Sequence, residues 1–275
     1  MSGDGPPVDG AARRWASRRW WWLAAAAAAG VAIVAVLLIS DHERSAAPAD
    51  TLARRAAHAV PDPLVRRRLY LGRSVRGRGI HAVAVGDLDN PRSVLVVGVI
   101  HGNEPAGLSI TRRLASGRPQ RERLLIIVPD LNPDGVAAGT RQNARGVDLN
   151  RNFPWRWRPL GVRGDLQYSG PRPLSEPEAR AARRLILRRR PAITIWFHQP
   201  LGVVDESGGN LAVERRFAAL SGLPLRRLPR YPGSAASWQD HRLPNSTAFV
   251  VELPPGRPTR HATAAYADAV ADLGS

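Results

Sequence analysis

Four short apolar runs, each closing on a polar residue, constrain this chain more than any other feature. Val94 to Ile100 leads into His101, and Leu124 to Val128 into Pro129, Asp130 and Asn132. Ile193 to Phe197 leads into His198, and Ala248 to Val251 into Glu252. Uninterrupted runs of this length, rich in β-branched residues, read as strands buried on both faces. Helical patterns fall between them. One is expected from Glu104 to Ala115. Another opens at Ser175-Glu176-Pro177-Glu178, a capping box with Ser175 as N-cap and Glu178 as N3, and continues to Arg189, where Pro191 stops it. Further helices are expected at 209–221 and 258–273, and strands at 69–75 and 80–86 as a hairpin about Arg76-Gly77-Arg78-Gly79. The expected fold is α/β, with a mixed, mostly parallel central sheet flanked by helices. Ligands of such sheets bind beyond the carboxyl ends of the strands, where His101, His198 and Glu252 all stand.

Ahead of this domain, Trp20 to Ser40 contains no charged residue. At about 1.5 Å per residue the run is about 31 Å long as a helix, enough to cross a bilayer core. Trp20, Trp21 and Trp22 stand at its start, where amphipathic rings favour the interface, and Arg13, Arg14, Arg18 and Arg19 precede it. The expectation is a cytoplasmic basic segment at 1–19, a transmembrane signal anchor at 20–40, a linker at 41–66 and an extracytoplasmic domain at 67–275. The alternative is a secretory signal cleaved near Ala47-Pro48-Ala49.

The chain has no cysteine, so a disulfide, a thiol nucleophile or a thiolate metal site is excluded and any metal must rest on His, Asp and Glu. The net charge of +17 sits almost entirely past residue 66 and favours acidic partners. No helix-turn-helix, zinc-finger or aromatic-basic RNA motif accompanies it, so nucleic acid is not expected as a partner.

Hydrolytic zinc sites take three N or O ligands from protein and keep a fourth position open. His101-Gly102-Asn103-Glu104 supplies an imidazole at a strand end and a carboxylate three residues on, with Gly102 expected to let the backbone turn sharply. His198, from a separate strand, would complete a trio. His42, His58, His81, His241 and His261 lack this placement. A second block runs from Arg141 to Pro154, too rich in Gly and Asn for a core strand, and follows the turn-forming Asn132-Pro133-Asp134-Gly135.

Taken in order, H-G-N-E, N-P-D-G, G-V-D-L-N-R-N-F-P, F-H-Q-P and V-E-L-P resemble the zinc carboxypeptidases of the carboxypeptidase A type. The short domain, the block from Arg141 and S-E-P-E most resemble the bacterial murein peptide amidase branch. The resemblance covers about residues 67–260. It implies one zinc ion held by His101, Glu104 and His198, with Asp148 accepting a hydrogen bond from a liganding imidazole, His101 first among them. It implies Glu252 as the group that takes a proton from water and passes it to the leaving amine, and Arg141 as the cation facing the developing oxyanion. Arg145 competes with Arg141 by proximity, but Arg141 keeps the family spacing. Asn150 and Arg151 match the pair that clamps a substrate carboxylate. The family's mobile tyrosine maps to Tyr231, which stands closer to Trp238 than the family pattern has it. Asn103 replaces an arginine of many digestive members. Arg156 and Arg158 read as solvated.

The expected function is therefore a membrane-held zinc peptidase acting beside a free carboxylate of a cell-wall peptide, such as the bond between γ-D-glutamyl and a diamino acid. The alternatives are a zinc deacylase of N-acyl amino acids and an inactive binding module on the same fold. The Trp196-Phe197-His198-Gln199-Pro200 context disfavours the first of these, and the complete set of polar residues disfavours the second.

Overall fold

Ser93–Val97 and Leu124–Val128 are buried at every position in the computed structural model, which describes residues 64–273. Strands with no solvated face must lie inside a sheet covered on both sides. They form β3 (Ser93–Val97) and β4 (Leu124–Val128) of an eight-stranded sheet, with β1 (Leu64–Arg73), β2 (Gly79–Asp87), β5 (Ile193–His198), β6 (Val203–Asp205), β7 (Leu225–Arg226) and β8 (Thr247–Glu252). The order is β1-β2-β4-β3-β5-β8-β6-β7. The four central strands run parallel, β1, β2 and β6 pair antiparallel to their inner neighbours, and β7 lies parallel to β6. The mixed, mostly parallel sheet expected from the sequence is present.

Alternation along the strands divides the core in two. Leu95, Val97, Ile126 and Trp196 point to one face, where α3 (Pro177–Arg189) packs Ala181, Ala182 and Leu185 and α5 (Ala235–Arg242) packs Trp238. Val94, Val96, Ile195 and Phe197 point to the other. That face is covered by α1 (Gly107–Ser116), α4 (Leu211–Ser221) and α6 (Arg260–Leu273), through Ile110, Phe217 and Val270. A short α2 (Pro133–Ala138) follows β4.

Several expectations need correction. The helix placed at Glu104 begins at Gly107, because the Glu104 N–H closes a turn onto the His101 carbonyl at 3.0 Å and Pro105 follows. The strand ends at Val97 rather than Ile100. Gly98 and Gly107 then pass so closely that a Cβ on Gly107 would lie 2.1 Å from the Gly98 carbonyl oxygen. Ser175 does not cap α3: Glu176 occupies the N-cap, Pro177 starts the helix, and no side chain caps it. Helices α4 and α6 begin two residues later than expected, α4 with the Asn210 side chain accepting from the Ala212 N–H. The hairpin strands are longer than expected, and β1 starts at Leu64, so the linker expected over 41–66 loses its last three residues to the sheet.

The apolar span expected at 20–40 lies outside the described residues. Among the described residues no helix is long and apolar enough to cross a membrane.

Candidate metal centre and substrate cleft

Three parallel strands deliver the chemistry to one end of the sheet. The chain after β3 turns at His101, β5 ends on His198 and β8 ends on Glu252, with His198 and Glu252 directly opposite one another in the ladder. Gly102 is required, but not for the turn expected of it. It lies outside the positive-φ glycines, and a Cβ there would stand 1.9 Å from the backbone carbon of Gly135 in α2.

His101 Nδ1 lies 3.0 Å from Glu104 Oε2, His198 Nδ1 lies 2.8 Å from the same oxygen, and the two Nδ1 atoms are 3.1 Å apart. All three residues are buried. Ligand atoms around tetrahedral zinc, at bonds near 2.0–2.1 Å, stand about 3.3 Å from one another. The triangle observed is a few tenths of an ångström smaller, and its donors are the N and O atoms that such an ion takes. On the far side of the ring His101 Nε2 meets Asp148 Oδ1 at 3.0 Å. A proton donated there leaves the Nδ1 lone pair facing the group. These residues fit a metal ion, and they form the one such His and carboxylate cluster among the described residues.

Asp148 is fully buried and accepts from three sides. Oδ1 also takes the Asn150 N–H at 2.9 Å, and Oδ2 takes Arg141 Nε at 3.0 Å. Burial opposes its ionisation, but the charge and hydrogen bond of His101, then Arg141 and Arg151, outweigh burial and hold its carboxyl well below the usual carboxylate range. Glu104 behaves alike: burial pushes its pKa up, and the hydrogen bonds and charges of His101 and His198 bring it far down. His101 is raised, since Asp148 and Glu104 outweigh the effect of its burial. Arg141 Nη1 closes the network on Glu104 Oε1 at 2.9 Å. Arg145 points instead toward Glu176, 3.6 Å away, so of the two arginines only Arg141 enters the site.

A cavity of about 360 Å³ opens in front of this group, lined among others by Arg141, Asn150, Arg151, Tyr231 and Glu252. Arg151 is buried, donates Nη1 to the Asn150 carbonyl at 2.9 Å, and leaves Nε without a partner. Its guanidinium lies 4.1 Å from the centroid of the Tyr231 ring, which is itself half-exposed. Asn150 Oδ1 accepts from the Ala235 N–H at 2.9 Å, and its Nδ2 lies 3.4 Å from His198 Nε2. Glu252 Oε2 is buried with no partner, and burial, then the charge of Glu104, pushes its carboxyl up against the pull of both histidines. Orphaned buried polar atoms are uncommon, and two here belong to residues that line one cavity.

A profile of the zinc carboxypeptidase family matches residues 61–200, half of the chain. The chain belongs to the zinc carboxypeptidase family. Murein peptide amidase A of Escherichia coli (strain K12) is 35% identical over 162 residues, covering 53% of this chain; the chain spans 65% of that relative's length. The murein peptide amidase A of Vibrio campbellii is 33% identical over 201 residues, covering 67% of this chain and 78% of the relative. Among solved structures, murein-tripeptide amidase MpaA from Escherichia coli O157 superposes with a TM-score of 0.62 at 29% identity, over 78% of this chain and 94% of that one. Carboxypeptidase A from Helicoverpa armigera gives 0.65 at 19% identity, over 78% and 69%, a likeness of fold.

Sequence reasoning missed several residues that shape the cleft. Gln199 ties three elements together, its Oε1 accepting from the Ala106 N–H at 3.0 Å and its Nε2 donating to the Pro254 and Gly256 carbonyls at 2.9 and 2.8 Å. Asp205, at the end of β6, receives Arg230 Nη1 at 2.7 Å, and both line the cavity with Ser207. A three-residue strand carries too little pattern to have revealed them.

Proposed function

We propose that the chain is a zinc-dependent peptidase that cleaves a peptide bond next to a free carboxylate in cell-wall peptides, the bond between γ-D-glutamyl and a diamino acid being its target. The reading rests on one observation. The His101, Glu104 and His198 donor atoms converge at a cavity also lined by Arg151 and Glu252, each of which keeps one buried polar atom without a partner. Those three residues would hold a zinc ion, which would supply Lewis acidity toward the scissile carbonyl and the attacking water. Glu252 takes the proton from that water and delivers it to the departing amine, and its apolar strand-end setting suits it to hold the proton in between. Arg141 sets a fixed positive charge where negative charge develops on the carbonyl oxygen. Arg151, with Asn150, holds the substrate's free carboxylate, and Tyr231 closes over it. Asp148 orients the His101 ring.

The relatives support the choice of substrate, since both carry the name murein peptide amidase. The charge-free run from Trp20 to Ser40 after four arginines supports a single-pass anchor with the domain outside the cytoplasm. The test uses three substrates: a γ-D-glutamyl-diaminopimelate peptide, the same peptide amidated at the carboxylate beside the bond, and N-acetylaspartate. The free peptide should be cleaved about a hundredfold faster than the amide, because a desolvated guanidinium would otherwise be left without its anion. Equal rates on the two peptides would remove the clamp, and faster cleavage of N-acetylaspartate would favour a deacylase.

A further inference from the structure

Part of the positive charge past residue 66 stands away from the cleft. A groove of about 240 Å³ runs between β1, the outermost strand, and α3. Arg67, Arg68, Arg184, Arg188 and Arg189 line it, and no Asp or Glu is among its walls. It shares no residue with the substrate cavity. β1 runs parallel to β4 through two antiparallel pairings, so its start at Leu64 lies at the amino ends of the parallel strands. The Arg188-Arg189 end of α3, which leads into β5, lies there too, while His198 and Glu252 close the opposite ends. Leu71 bulges out of register between Tyr70 and Gly72, and Arg184 Nη2 reaches across from α3 to its carbonyl at 3.1 Å, which ties the two walls together. Tyr70 stands in the same groove, 59% exposed.

An edge strand needs only a few charges of its own to be kept from pairing with another chain, and Arg66, Arg67 and Arg68 suffice for that. They do not account for the helix. Arg184 and Arg188 are both exposed and one turn apart on α3, a like-charged pair that weakens a helix. Among the described residues none of the five groove arginines has a carboxylate partner. Cations gathered round an exposed tyrosine, against their mutual repulsion, match an anionic surface whose interfacial zone accepts such rings. The position of the groove favours a bilayer over a soluble polymer. Its strand wall is the first element after the proposed anchor and linker, and residues 41–63 would reach at most about 80 Å beyond Ser40. Tethering at short range turns a weak patch into an occupied one, because the local concentration is on the order of millimolar.

We propose that this groove is a docking surface for anionic phospholipid headgroups, which seats the domain on the bilayer and leaves the cleft free. The inference adds to the anchor reading above, and its test separates the two. The chain has no cysteine, so a single introduced one carries a unique fluorophore. The full chain is reconstituted in nanodiscs of neutral phosphatidylcholine or of anionic phosphatidylglycerol, both bearing a headgroup quencher. The fluorophore sits at Tyr70→Cys in the groove or at Val162→Cys, an exposed position on the loop that brings Leu166 to the cleft. The docked-to-undocked ratio reported at residue 70 should be about tenfold or more higher in anionic discs, since each arginine near such a surface contributes about fivefold. It should fall as salt rises, and Arg188→Gln/Arg189→Gln should remove most of it. Arg67→Glu/Arg68→Glu/Arg188→Glu/Arg189→Glu should dock instead on discs of cationic lipid, a gain that misfolding cannot produce. Equal quenching in the two lipids, equal quenching at residues 70 and 162, or no effect of the Gln pair overturns the proposal. Release of the docked domain by soluble polyglycerol phosphate, at the phosphate concentration of the discs, also overturns it and assigns the groove to a wall polymer. A full chain that leaves neutral discs refutes the anchor, while arginine-dependent quenching on anionic discs alone still supports the groove.

Discussion

Replacing Asp148 by Asn should release the metal and loosen the fold together, because its two oxygens serve different partners. Oδ1 receives His101 Nε2 at 3.0 Å and the Asn150 N–H at 2.9 Å, while Oδ2 receives Arg141 Nε at 3.0 Å. An asparagine keeps one oxygen. With that oxygen toward His101, its amide hydrogens face the Arg141 guanidinium, donor against donor. Flipped, it deprives His101 of the acceptor that fixes its tautomer. Either way at least one charge-assisted hydrogen bond at a fully buried position is lost, each worth about 1.5–3 kcal/mol. Unfolding in urea should therefore show a loss of about 2–4 kcal/mol. Competition against a chromogenic chelator should show zinc affinity falling about 10–100-fold, or about 1.4–2.7 kcal/mol. The difference from wild type also has a pH signature. The folded carboxyl is held far below its unfolded value of about 3.9, so its stabilisation is complete above that value and fades as pH falls through and below about 4. A stability change under about 0.5 kcal/mol at pH 7, with zinc affinity within about twofold, would refute the reasoning, since such small effects belong to ordinary surface substitutions.

Glu252→Gln should retain zinc, because Glu252 is outside the ligand triangle, and lose about 10²-fold or more in turnover; a loss under about tenfold removes it from proton transfer. Asp240, whose pKa is raised to about 7 by burial, binds its proton more tightly folded than unfolded, so wild type should lose stability as pH rises from about 4 to 7. Melting of Asp240→Asn against wild type at pH 5 and pH 8 should show the variant gaining on the order of 1 kcal/mol between them, and a pH-independent difference would contradict the shift. If the run from Trp20 to Ser40 anchors the chain as proposed, protease added to wall-stripped cells should digest residues 67–275 and spare the first eighteen. Protection of the whole domain would place it on the other side of the membrane.

The central strands were legible because burial on both faces leaves a plain signal, an unbroken β-branched run stopped by a polar residue. That signal located β3, β4, β5 and β8, and with them His198 and Glu252 at two strand ends and His101 in the turn that follows a third. What was not legible had weaker or misread patterns. Asn132-Pro133-Asp134-Gly135 carries helix-start chemistry, an Asn whose side chain accepts from the Gly135 N–H and a Pro at the first helical position, yet its composition suggests a turn. Strands β6 and β7 have three and two residues, below the length at which alternation can be seen. The pairing of Asp205 with Arg230 across 25 positions follows from those strands and was hidden with them.

The misread capping box shows how such a site is built. Ser175, Glu176 and Glu178 suit a helix start by local rules, but the structure spends them on the loop that carries the site. Glu178 accepts from the Val75 N–H at 2.9 Å and from Asn143 Nδ2 at 3.0 Å, and Glu176 accepts from the same Asn143 nitrogen at 2.8 Å. Asn143 Oδ1 in turn receives the Arg145 and Val147 N–H groups, at 3.0 and 3.2 Å. Nine residues on, Asn152 Nδ2 reaches the Ser169 carbonyl at 2.8 Å and Ser175 Oγ at 3.0 Å. The segment between them has no strand ladder, so its backbone groups are met by turns within the loop, by the Tyr168 carbonyl, which takes the Asp148 N–H at 2.8 Å, and by the Asn143 and Asp148 side chains. Helix α3 and its entry hold the two asparagines that bracket the segment, Glu176 and Glu178 accepting from Asn143 and Ser175 from Asn152. Arg141, Asp148, Asn150 and Arg151 are thus positioned by buried carboxylates and amides that never reach the cleft. Local propensity could not have shown this, because a capping box and a loop clamp use the same residue types, and only the tertiary fold decides which partner is present.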